Sequence, residues 1–136
     1  MDTNPAPAIE IFRAGTHTAM DGRQLTFSQA DLDDLVASYD AAAFPAPIVV
    51  GHPTIDAPAY GWVASLGRTG ATAFATPDQV EPQFAAMVNA GRFKKVSASI
   101  YSPDTPGNLK LGHFYLMHVG FLGPAAPCLQ GLKTVQ

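Results

Sequence analysis

FYLMHVGFL, residues 114–122, is apolar at both its odd and its even positions. A strand with one wet face alternates, so a run apolar on both sets reads as a strand buried on both sides. His118 lies in the middle of it. A buried imidazole is costly unless its ring nitrogens find partners, so this histidine calls for a partner elsewhere in the chain. His113, at the mouth of the strand, has the opposite parity, and the two cannot project into one site from a regular strand.

Working backwards, KKVSASIY (94–101) reads as a second strand. Ser97 and Ser99 fall on one face of it; Val96, Ala98 and Ile100 fall on the other. Ser102 to Asn108 holds two prolines and a glycine and reads as a loop. Earlier, Ile48 to Val50 is a short β-branched run that leads directly into Gly51-His52-Pro53. A perch fixed by a strand end suits an imidazole whose position must be held closely. Gly61 to Leu66 and Ala71 to Ala75, turning at Gly70, form a hairpin. Ile9 to Phe12 and Leu25 to Phe27 add extended pieces, with a turn at Asp21-Gly22.

Two helices are legible. Ser28 caps the segment FSQADLDDLVASYDAA, and Asp31 completes a capping box. Leu32, Leu35, Val36 and Tyr39 then face the core, and Pro45 and Pro47 stop the helix. The second runs Pro82 to Asn89, with Pro82 at its first position, Phe84 and Met87–Val88 inward, and Gly91 as its stop. Two helices among many short strands indicate an α+β, β-rich domain, a closed or partly closed mixed β-barrel.

Composition narrows the function. The chain has 136 residues, 47% hydrophobic and 14% charged, with a net charge of -3. That is one domain with enough apolar material for a core, and too few charges for disorder. Without a basic stripe, nucleic-acid binding is not expected. Residues 1–7 read as a flexible tail with no signal-peptide pattern, and no apolar run reaches the roughly 18 residues that span a bilayer. A soluble, intracellular protein with no membrane partner is expected. Cys128 is the lone cysteine, so no internal disulfide forms, and no HxH or HExxH spacing suggests a metal. No cofactor is expected.

Taken singly, a strand serine is usually a surface hydroxyl, an apolar-strand histidine usually a satisfied core residue, and His17 a solvated loop residue. The runs FRAGTHTAMDGRQLTF, ASYD, APIVVGHPTIDAPAYGWV, AGRFKKVSASIYSPDTPGN and YLMHVGFLGPAAP, in that order, change the weighting. They resemble the Mu-like prophage I protein family, the phage protease and scaffold proteins, over about Ile9 to Lys133. A looser likeness reaches the prohead proteases and the herpesvirus assemblins.

That resemblance implies a serine endopeptidase with a Ser97–His52–His118 triad. It implies phage scaffold and major capsid proteins as substrates, the chain itself among them, cleaved during prohead maturation. The setting it implies is the bacterial host cytoplasm, inside an assembling prohead, with a homodimer left open. Residues 8–133 would be the protease domain and 134–136 its end, the family's scaffold region being absent. His52 would take the proton of the Ser97 hydroxyl, and His118 would orient His52. A neutral imidazole orients less strongly than a carboxylate, so a slow enzyme is expected. The oxyanion donors would come from the Leu122–Ala126 turn, with Gly123 and Ala125 as candidates; Pro124 has no N–H to give. Ser99 is the rival nucleophile, and Asp56 the rival orienting group. Lys94 and Lys95 read as a solvated edge. The alternative to an enzyme is a catalytically silent capsid-assembly or scaffold-binding module on the same fold.

Overall fold

The computed structural model describes residues 8–18, 22, 24–53 and 56–123. Eight strands and two helices follow in the order β1 (Ile9–Arg13), β2 (Gly15–Thr18), β3 (Gln24–Phe27), α1 (Gln29–Ser38), β4 (Pro47–Val50), β5 (Gly61–Thr69), β6 (Thr72–Asp78), α2 (Pro82–Asn89), β7 (Lys95–Tyr101) and β8 (Tyr115–Leu122). Six strands form one mixed sheet in the order β1-β6-β5-β4-β8-β7, and β2 pairs with β3 separately. The β4–β8 pair is parallel, and the other pairs are antiparallel. The outer strands β1 and β7 approach each other, so the sheet curls into a nearly closed barrel. This is the β-rich α+β architecture expected from the sequence.

Ile11, Leu32, Leu35, Ile48, Val63, Leu116 and Val119 are among the most buried side chains and fill the core. The Ser28 capping box on α1 forms as read: Ser28 Oγ accepts from the Asp31 N–H, and Asp31 accepts from the Ser28 N–H. The helix ends at Ser38, ahead of the prolines. Tyr39 turns extended, and its hydroxyl donates to the Val63 carbonyl (2.5 Å) and accepts from the Ala46 N–H (2.9 Å). A tertiary anchor, not Pro45, therefore stops α1. In α2, Phe84 and Val88 are buried, but Met87 is 46% exposed and faces away from the core. Three residues after Phe84, it sits at the edge of the apolar stripe, where about half of it stays in solvent.

His17 also departs from its loop reading. It lies in β2, its ring against Phe12 and its Nε2 2.6 Å from the Arg13 carbonyl oxygen. His113 precedes β8 and pairs with Asp34 of α1 (2.7 Å), whose other oxygen accepts from the Phe114 N–H (2.7 Å). The buried Ser38 hydroxyl donates to the Phe114 carbonyl. Helix α1 thus pins the start of the strand that carries His118. The 1–7 tail, Asp21, Pro124, Ala125, Cys128 and the 134–136 end lie outside the described residues.

Candidate active site

Three neighbouring strands build the site. In the sheet, β8 lies between β4 and β7, so residues far apart in sequence become lateral neighbours. Ser97 sits directly across from Gly120, and Ser99 directly across from His118. By strand alternation these four share one face. On the other side of β8, Val50 pairs with Phe121, and the Gly51 N–H extends the ladder to the Phe121 carbonyl (3.0 Å).

Gly51 then turns the chain back. Its φ is +67°, a left-handed conformation that glycine enters at no steric cost. The Gly51 carbonyl and the His52 ring come to rest over Gly120. A β-carbon on Gly120 would lie 2.2 Å from the Gly51 carbonyl oxygen and 3.3 Å from His52 Cε1. The missing side chain is what lets His52 lie down on β8. Sequence reading passed over Gly120, although a glycine inside a strand pattern marks a close backbone approach.

From this position His52 Nδ1 reaches His118 Nε2 at 2.7 Å, with the ring centroids 5.0 Å apart. Ser99 Oγ lies 3.1 Å from the same Nδ1. Ser97 is buried, 4% exposed, on the strand opposite Gly120. Asp56 is exposed, and the group facing His52 Nδ1 is His118. Gly123 follows β8 directly and is half-buried. Among the described residues, no three His, Cys, Asp or Glu side chains gather as metal ligands would.

Burial lowers the pKa of His52 below its ordinary value. Burial, and after it the charge of His52, push His118 down to about 4. Both rings are therefore neutral near pH 7, each with one N–H and one lone pair. A single proton shared along Nδ1···Nε2 satisfies the pair.

That proton decides what the site can do. If Nδ1 carries it and donates to His118, the free lone pair of His52 is on Nε2. Ser99 then touches a nitrogen that has no lone pair to accept a proton. If Nδ1 is bare, Ser99 and His118 compete to donate to one lone pair. The first arrangement gives both histidines a role, and it makes Nε2 the basic end. Cε1, which lies between the two ring nitrogens, overhangs Gly120, and the serine whose hydroxyl meets the ring is Ser99.

No protein-family model and no curated protein matches this chain. Among solved structures it is similar to the Kaposi's sarcoma-associated herpesvirus protease, crystallised in complex with a dimer disruptor. The TM-score is 0.55 at 15% identity, covering 94% of this chain and 74% of that one. The likeness is one of fold, and it extends over nearly the whole chain.

Proposed function

We propose that this chain is a serine endopeptidase that uses Ser97 as nucleophile, His52 as general base and His118 as the residue that orients the base. The observation that carries this reading is the 2.7 Å contact between two half-buried, neutral imidazoles beside a serine-bearing strand. In this reading His52 Nδ1–H donates to His118 Nε2. His52 Nε2 takes the Ser97 proton as Oγ attacks a peptide carbonyl carbon, and then delivers it to the leaving amine. His52 is an imidazolium in between. His118 Nε2 and Ser99 Oγ both accept from its Nδ1–H, so two neutral acceptors stand where other triads place a carboxylate. Gly123 and Ala125 would supply the oxyanion donors.

The substrates proposed are phage scaffold and capsid precursor proteins, the chain itself included, cleaved within a prohead in a bacterial host. The sequence runs that resemble the Mu-like prophage I proteins support this, and so does the herpesvirus protease fold. A homodimer is part of the proposal, since that neighbour is a protein for which a dimer disruptor exists.

A serine-reactive phosphonate, followed by peptide mapping, tests the reading. Wild type is expected to be labelled on Ser97, and Ser97→Ala to lose the label and about 10⁴-fold or more of the hydrolysis rate. A label on Ser99 would move the nucleophile. A folded wild type that takes no label would favour the silent assembly module.

A further inference from the structure

Two of the three glycines in the six-stranded sheet have sharply different surroundings. At Gly67, in β5, an added β-carbon would meet nothing within 4 Å. At Gly120, in β8, it would meet the Gly51 carbonyl oxygen at 2.2 Å, its carbon at 3.2 Å and His52 Cε1 at 3.3 Å. Two of those three atoms are backbone, which cannot rotate aside as a side chain would. The third belongs to the proposed base.

We propose that Gly120 and Gly51 form a positioning device: the bare floor of β8 at Gly120 and the left-handed turn at Gly51 together set the depth at which the His52 ring lies over the sheet. The two act from opposite sides. Gly51, at φ +67°, lets the chain leave the parallel ladder and reverse. Gly120 leaves room for the reversed segment to come down until Nδ1 meets His118. Neither touches the substrate; both act through His52.

The magnitude follows from the distances. Ordinary contact begins near 3.4 Å, so a methyl group at position 120 must lift the Gly51 carbonyl and the ring behind it by about 1 Å. A misplacement of that size in a catalytic group costs on the order of 100-fold in rate. Because the displaced group is the proposed base and not a binding surface, the loss should fall on kcat more than on KM.

This inference rests on the proteolytic reading for its kinetic readout, but not for its structural one. The proton shared by His52 and His118 should give a low-field imidazole resonance, observable whether or not the protein cleaves anything. In Gly120→Ala that resonance should shift or vanish while the circular dichroism spectrum is kept. Phosphonate labelling and kcat should fall together by about 100-fold. Gly67→Ala is the control and should leave all of these readouts unchanged. Should Gly120→Ala not fold, Gly51→Ala examines the other half of the device. It should lower kcat and disturb the resonance, whereas Gly51→Asn should recover much of both, since asparagine tolerates the left-handed region. A folded Gly120→Ala with wild-type kcat and an unmoved resonance would overturn the proposal. So would Gly51→Ala behaving as wild type if Gly120→Ala does not fold. If wild type shows the resonance but no hydrolysis, the protease reading fails instead, and the resonance alone judges the device.

Discussion

His118 Nε2 lies 2.7 Å from His52 Nδ1, one imidazole held against another on adjoining stretches of chain. The two rings cannot both be charged without placing like charges side by side. The low value of about 4 for His118 expresses this, through burial first and the neighbouring charge second.

The pair should leave a signature in stability. In the unfolded chain a histidine takes its proton near pH 6.5; in the folded one His118 does so only near 4. Between those values the unfolded state binds more protons, so stability present above pH 6.5 is lost as the pH falls toward 4. His52, also depressed, adds in the same direction. Urea midpoints at pH 7 and pH 5 should therefore drop more for wild type than for His118→Asn. Equal drops would show that His118 is not held neutral.

Ser99 should matter without being the nucleophile. In the proposed mechanism it is a second acceptor for the Nδ1–H and stabilises the charged form of His52, so Ser99→Ala should lower kcat by about 2- to 10-fold. Losing that acceptor also disfavours the imidazolium. The acid limb of the pH–rate profile should thus move to lower pH, while labelling stays on Ser97. A Ser99→Ala variant as inert as Ser97→Ala would reverse the assignment of the two serines.

Asn108 tests the scaffold behind the site. It is 8% exposed, and its amide nitrogen donates to the Ser102 and His113 carbonyls (both 2.9 Å), while its oxygen accepts from the Lys110 N–H (2.9 Å). These bonds shape the connection between β7 and β8, the two strands that carry the serines and His118. Asn108→Ala should cost about 2 kcal/mol in chemical denaturation, because several partners lose their bonds together. A change under about 0.5 kcal/mol would mean that the loop holds its form without this amide.

Much of this protein is determined by neighbours in sequence. Ser28 and Asp31 close the start of α1, Pro82 and Gly91 bound α2, and alternation puts Ser97 and Ser99 on one face of β7, because each of these acts within a few residues of chain. The run at 114–122 announces a doubly buried strand from its composition alone. What stops α1 was not legible, since Tyr39 is anchored to Val63 across the core. Nor was the Asp34 link to His113 and Phe114, made across a gap of about eighty residues. Which ring nitrogen faces which partner, and why Gly120 must be bare, were decided only when β4 was laid parallel to β8. A hydrogen bond and a steric contact act over a few ångströms of space, and linear order does not record which distant residues come within that reach.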